Sequence, residues 1–161
     1  MRPFSQSNLN LAKVAGAVSA THELSEADLS NIEITGVTHS DTHVEPGDLF
    51  IAIPGANRHG AEFAMSAISK GAVAVLTDSA GAGQVKGVPV LVVADPRRVA
   101  GNVAALLYNE PMRDLASVGI TGTNGKTTVS TLIYQIFEAA GRDCGLIGTI
   151  ETRIGKDAID S

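Results

Sequence analysis

Tryptophan is absent from this sequence, and Cys144 is its only cysteine. A lone cysteine closes no internal disulfide, so the chain has no disulfide framework and its cysteine usage fits the reducing cytoplasm. Cys144 itself reads as a small core hydrophobe beside Gly145 and Leu146. No apolar run approaches the roughly 20 residues that a membrane-spanning helix needs. Residues 1–16 hold one brief apolar stretch interrupted by Lys13, which makes a poor signal peptide. Positive charge is scarce as well. With 12 Lys and Arg against 17 Asp and Glu, the net charge is −5, the wrong sign for a nucleic-acid surface. Internal repeats and low-complexity segments are missing. The histidines His22, His39, His43 and His59 show no metal-ligand spacing. His39 and His43 are four apart, but in a loop that ends at Pro46-Gly47, so all of them read as solvated loop histidines. Asp41, Glu45 and Asp48 read as turn and surface carboxylates rather than a catalytic pair.

What is present is a globular composition and one informative loop. Hydrophobic residues make up 44% of 161, enough for one domain with a real core or two small ones. The loop is Thr121-Gly122-Thr123-Asn124-Gly125-Lys126-Thr127-Thr128. Residues 115–120 before it read as a short buried strand. After it, Val129, Leu132, Ile133, Ile136 and Phe137 have the spacing of one helix face. A glycine-rich turn between strand and helix, carrying Gly-Lys-Thr, is a phosphate cradle. Gly122 and Gly125 lack Cβ atoms, so the backbone can wrap an anion and aim N–H groups at it. The helix start adds the positive end of its dipole. On this pattern Gly122, Thr123, Asn124, Gly125, Lys126, Thr127 and Thr128 bind ATP. Lys126 reaches the β- and γ-phosphates, and the Thr127 hydroxyl ligates the accompanying Mg²⁺. The general pattern has a glycine where this chain has Ile120.

The remaining sequence reads as an α/β unit. Residues 4–17 form a short helix and 19–31 a polar loop. Strands are expected at 32–37, 48–53, 72–76 and 88–93, with a helix from Phe63 to its stop at Gly71. Asp95-Pro96 is a helix start, an N-cap followed by proline at the first helical position. Residues 109–114 read as a linker, giving domains at 1–111 and 112–161. Residues 144–150 read as a further strand of a parallel sheet. One strand–helix–strand cannot cover both faces of such a sheet, so the second domain is expected to be only the start of a larger phosphate-loop domain. Two loops of the first domain follow strands, around Thr38-His39-Ser40-Asp41 and around Ala56-Asn57-Arg58. Their short polar side chains suit a uracil or ribose, or simply solvent.

These residues carry a family resemblance. Thr-Gly-Thr-Asn-Gly-Lys-Thr-Thr resembles the ATP loop of the Mur ligases, whose loop has a shorter form in which Ile120 is no departure. Glu45-Pro46-Gly47-Asp48-Leu49-Phe50, His59-Gly60 and residues 67–75 resemble the N-terminal domain of the members that add a diamino acid or a terminal dipeptide. Thr123 in the loop and Leu146-Ile147-Gly148-Thr149-Ile150 resemble the diamino acid-adding branch.

The resemblance implies an ATP-dependent amide-bond ligase of peptidoglycan synthesis, with ATP and Mg²⁺ as cofactors. Its partners would be a UDP-MurNAc-peptide and a diamino acid, meso-diaminopimelate or L-lysine, with no nucleic acid and no membrane. The N-terminal domain would hold the uridine diphosphate. The family's Asp-Ser-Arg falls on His39, Ser40 and Asp41, where only the serine is kept. Ser40 is therefore carried over as a uracil contact, with Thr38 at a neighbouring position. The second family loop falls on Ala56, Asn57 and Arg58. Lys126 would be catalytic. The alternatives are the dipeptide-adding branch, a non-catalytic uridine-nucleotide module, and an unrelated phosphate-loop NTPase. On the ligase reading these residues are the N-terminal part of a longer enzyme and are inactive by themselves.

Overall fold

The computed structural model describes residues 9–155 and 157–160. Residues 1–8, which include the expected helix start and half of the poor signal peptide, lie outside the described residues. The chain divides into two compact units between Leu115 and Ala116.

The first unit has α1 (Leu11–Val18), α2 (Glu26–Ser30), β1 (Gly36–Thr38), β2 (Asp48–Ile51), α3 (Ala64–Ser69), β3 (Ala74–Thr77), α4 (Ser79–Ala82), β4 (Val90–Val92) and α5 (Pro96–Leu107). Short 3-10 turns stand at Asp41–His43, Gly60–Phe63 and Pro111–Arg113. The strands form one parallel sheet in the order β1-β2-β3-β4. Every residue of β2 and β3 is buried, as expected for a parallel sheet covered on both faces.

Strand alternation divides the core in two. Leu49 and Ile51 of β2, with Leu76 and Leu91, pack on Leu11 and Val14 of α1, Leu29 of α2, and Val103 and Leu107 of α5. Phe50, Ala52 and Val75 point to the opposite face, against Ala61, Ala64, Ala67 and Val85. Small alanines on that side let the short α3 lie close to the sheet. Each large side chain buried this way contributes about 1.5–3 kcal/mol.

Local signals account for most boundaries. Asn10 caps α1 by accepting from Lys13 N–H at 3.0 Å. Asp95 caps α5 by accepting from Arg98 N–H at 3.1 Å, with Pro96 in the first turn. Inside the stretch read as a polar loop, Ser25 caps the five-residue α2, accepting from Asp28 N–H at 3.2 Å. The expected strand at 88–93 shortens to β4, because Pro89 brings only a carbonyl to the ladder, which accepts from Val75 N–H at 3.0 Å. Asp48 is buried rather than on the surface, and it stabilises a turn by accepting from Glu45 N–H at 2.9 Å.

The second unit has α6 (Lys126–Ala139), β5 (Gly145–Ile147), β6 (Glu151–Ile154) and β7 (Asp157–Asp160). Its three strands are antiparallel, in the order β5-β6-β7. The expectation of a parallel strand after α6 is corrected here. Residues 148–150 turn the chain back, so β5 pairs with β6 as a hairpin, Leu146 opposite Arg153. The strand expected at 115–120 is also not formed. None of the described strands pairs with it, and residues 115–119 are exposed. Without a neighbour the backbone N–H and C=O groups have no ladder to join. Among the described residues of this unit, Tyr134 and Leu146 are the buried side chains, and the Tyr134 hydroxyl donates to Gly155 O at 2.8 Å. Burial lifts the Tyr134 phenol above its ordinary pKa. The helix face read from Val129, Leu132, Ile133, Ile136 and Phe137 exists, but only Ile133 is half-buried and the other four are exposed.

Candidate nucleotide-binding site

In a parallel sheet all strands end on one edge, and ligands bind there in open α/β sheets. Thr38 closes β1, Ala52 to Gly60 follow β2, Asp78 follows β3 and Asp95 follows β4. Both candidate loops therefore leave the same edge from adjacent strands.

The first loop is held by its own side chains. Thr38 Oγ1 accepts from Ser40 N–H at 3.1 Å and donates to Ser40 O at 3.2 Å. Ser40 Oγ shares a hydrogen bond of 2.8 Å with Thr42 Oγ1. Ser66 Oγ of α3 donates to Asp41 Oδ2 at 2.8 Å, and Lys70 Nζ, from the C-cap of that helix, donates to Asp41 O at 2.7 Å. Thr38 and Ser40 are half-buried, while His39 and His43 face solvent as the sequence suggests.

The second loop doubles back on itself. Pro54 bridges His59, Gly55 N–H donates to Arg58 O at 3.0 Å, and Gly60 N–H donates to Ile53 O at 3.1 Å. Gly60 is obligatory: a Cβ there would lie 2.7 Å from both Ile53 N and Ile53 O. Ala56, Asn57 and Arg58 are exposed at the tip. The Arg58 guanidinium is already engaged. Its Nε donates to Glu62 Oε2 at 2.9 Å, and its Cζ sits 4.8 Å from the Phe63 ring centroid. The Arg58 hydrogen bond, followed by that from His59 N–H, holds the Glu62 carboxyl below its ordinary pKa. A ligand at this tip thus meets backbone groups and Asn57 before it meets a free guanidinium.

His59 is the residue that sequence reasoning misses. It is not a solvated loop histidine: its side chain is 17% exposed. Nδ1 accepts from Ala61 N–H at 3.0 Å, and Nε2 lies 3.1 Å from Asp78 Oδ1. An amide can only donate, so Nδ1 carries the lone pair and the proton is on Nε2, donated to Asp78. The same Asp78 oxygen accepts from Gly81 N–H at 2.8 Å and caps α4. The Gly81 amide, with His59 adding to it, holds the Asp78 carboxyl below the ordinary aspartate range. No spacing rule pairs positions 59 and 78, but a capping aspartate just after a buried strand was a usable signal.

In the second unit, residues 122–125 loop into α6 without a side-chain cap. Gly125 is the N-cap at φ 77°, a conformation that favours glycine, and a Cβ there would meet nothing within 4 Å. The loop is thus open on that side. Lys126 Nζ donates to Gly122 O at 2.6 Å, so the ammonium lies across the loop. Thr123, Asn124, Thr127 and Thr128 are exposed around it. Such a turn can surround an anion with amides, a helix start and one cation. For a divalent cation, Thr127 offers one hydroxyl oxygen, and among the described residues no cluster of three acidic, histidine or cysteine side chains joins it.

Comparison with known proteins divides the chain a few residues further on. Residues 33–119 match the model described as Mur ligase family, catalytic domain, and residues 120–161 match the Mur ligase middle domain. A protein of Streptomyces avermitilis named UDP-N-acetylmuramoyl-L-alanyl-D-glutamate--2,6-diaminopimelate ligase is 48% identical over 99% of this chain and 31% of its own length. The protein of that name from Streptomyces coelicolor is 46% identical over 99% of this chain and 31% of its own length. The chain thus spans about a third of the length of these curated relatives. Among solved structures, one titled with the same ligase name has a TM-score of 0.69 at 24% identity, covering 92% of this chain and 29% of that one. MurF from Acinetobacter baumannii has a TM-score of 0.64 at 23% identity, covering 81% and 27%. At that identity the structures speak for the fold, which is α/β. With more than half of its length matched by the first of these models, the chain belongs to the Mur ligase family.

Proposed function

We propose that this chain supplies the substrate-holding and phosphate-holding parts of an ATP-dependent ligase that joins a diamino acid to UDP-MurNAc-L-Ala-D-Glu in peptidoglycan synthesis. The observation that carries the reading is 48% identity, over 99% of the chain, to a protein named for that reaction with 2,6-diaminopimelate. The exposed glycine loop under Lys126 and the polar loops on one sheet edge support it.

In the first unit, up to about residue 111, Thr38, Ser40 and the 56–58 tip hold the uridine diphosphate. In the second, the amides of 122–128 and the start of α6 receive the ATP phosphates. Lys126 leaves Gly122 O for the phosphoryl oxygens, so one cation–dipole contact is exchanged for a cation–anion contact. Thr127 would hold Mg²⁺, which neutralises phosphate charge when bound. The γ-phosphoryl passes to the free glutamyl carboxylate as ADP leaves. The amine of the diamino acid then attacks the acyl phosphate, the amide bond forms and inorganic phosphate departs. Phosphoryl transfer asks mostly for positioning and charge neutralisation, which is what a glycine loop with one lysine offers. These substrates belong to the cytoplasm, where ATP is available.

The binding half of the reading is tested by calorimetry. UDP titrated into the 161-residue chain should give saturable heat at one site, and ADP in place of UDP should not compete for it. Absence of UDP binding would remove the role given to the first unit.

A further inference from the structure

We infer that His59 is a positioning residue for the 56–58 tip: through Asp78 it sets where that tip stands at the end of β2 for a uridine nucleotide. This rests on the uridine-binding reading above. The tip is carried on a stalk closed by Gly55 N–H to Arg58 O and Gly60 N–H to Ile53 O, at 3.0 and 3.1 Å. Those bonds fold the loop on itself but leave its tilt over the sheet edge unset. Among the described residues, two hydrogen bonds tie it to segments distant in sequence. Arg97 Nη2 donates to Pro54 O at 3.2 Å from the exposed side. His59 Nε2–H donates to Asp78 Oδ1 on the half-buried side, where both side chains are no more than 20% exposed. A hydrogen bond shielded from water holds geometry better than an exposed one.

The slot for the ring is itself built. A Cβ on Gly81 would come within 2.6 Å of His59 Cε1 and 2.3 Å of Thr77 Oγ1. The imidazole therefore has one seat, under the cap of α4. Its backbone carries that seat outward: His59 N–H donates to Glu62 Oε1 at 3.0 Å, and Glu62 Oε2 takes the neighbouring Arg58. A shift of His59 moves the carboxylate that orients Arg58. The ring has both nitrogens committed inside the protein, so it acts through the loop and not on the ligand.

The two ring bonds are separable by substitution. An asparagine amide reaches the Nδ1 position and keeps the Ala61 cap; a glutamine amide reaches the Nε2 position and keeps the Asp78 bond. The experiment titrates UDP into the 161-residue chain and its variants, with Tm measured alongside. His59→Asn should weaken UDP binding about tenfold, the scale of one charge-assisted hydrogen bond, while His59→Gln stays within about twofold of the parent. Both should lower Tm by similar amounts, since each loses one bond of the ring. Gly81→Ala, which displaces the ring without altering it, should weaken UDP binding as His59→Asn does. If His59→Asn fails to fold, the contrast between His59→Gln and Gly81→Ala decides. Equal affinities across the set, or affinities that only follow Tm, would overturn the positioning role and leave the uridine reading intact. No UDP binding by the parent chain would overturn both.

Discussion

Lys126 donates a hydrogen bond of 2.6 Å to the carbonyl of Gly122, four residues before it, so the lysine lies across the loop whose helix it begins. On the proposed reading the amides would hold ground-state phosphates too, whereas the ammonium would meet the charge that develops in transfer. Lys126→Ala in the complete ligase should lower kcat about 10²-fold or more, with a smaller change in the KM for ATP. Thr127→Ala should instead raise the Mg²⁺ concentration needed for half-maximal rate. Steady-state titration of ATP and Mg²⁺ separates the two. Near-normal kcat for Lys126→Ala at saturating ATP would deny the loop its catalytic role.

Asp78 joins the end of β3 to His59 and to the cap of α4, and its carboxyl is held below the ordinary aspartate range, first by the Gly81 amide. A depressed folded pKa stabilises the fold above the unfolded pKa, and that stability is lost as pH falls through the folded value. Asp78→Ala should therefore lower Tm at neutral pH, and the gap to the parent should close in acid below the ordinary carboxylate range. Melting curves from pH 7 downward test this. A gap that widens in acid would contradict the assignment.

Ser40 and Thr38 should separate recognition from structure. Ser40→Ala removes one side chain that, among the described residues, bonds Thr42 Oγ1 alone, and should weaken UDP binding by about 1 kcal/mol with little change in Tm. Thr38→Val removes both side-chain bonds to the Ser40 backbone and should lower affinity and Tm together. Unchanged affinity for Ser40→Ala would return this loop to solvent.

Gly60→Ala should be costly although it adds one methyl group. The new Cβ would press on the Ile53 backbone at 2.7 Å, which cannot rotate away. We expect a loss of about 1–3 kcal/mol in chemical denaturation, the usual range for overpacking. Tolerance of alanine would mean that the 54–60 loop is looser than its hydrogen bonds suggest.

Much of the first unit was legible because its signals are local. Leu49, Phe50 and Ile51 announce a buried strand, and Asp95 with Pro96 announces the start of α5. What escaped depends on partners distant in sequence. His59 looks like any loop histidine until β3 brings Asp78 to it, 19 residues on. The five-residue α2 buries only Leu29, too little for a helical period. Residues 115–120 and β5 have strand-like composition, but pairing is a property of neighbours: β5 took β6, and 115–120 has no described partner. The turn that opens α6 at Lys126 was readable because its residues are consecutive in sequence; what that turn and the strand-end loops bind is the proposal above.

The central claim is the reaction, and the choice of acceptor and amine tests it most directly. ADP release by the complete ligase should require UDP-MurNAc-L-Ala-D-Glu and a diamino acid together, with meso-diaminopimelate the preferred amine. UDP-MurNAc-tripeptide with D-Ala-D-Ala should leave ADP release at background. Turnover with the tripeptide and dipeptide pair, and none with the diamino acid, would contradict the account.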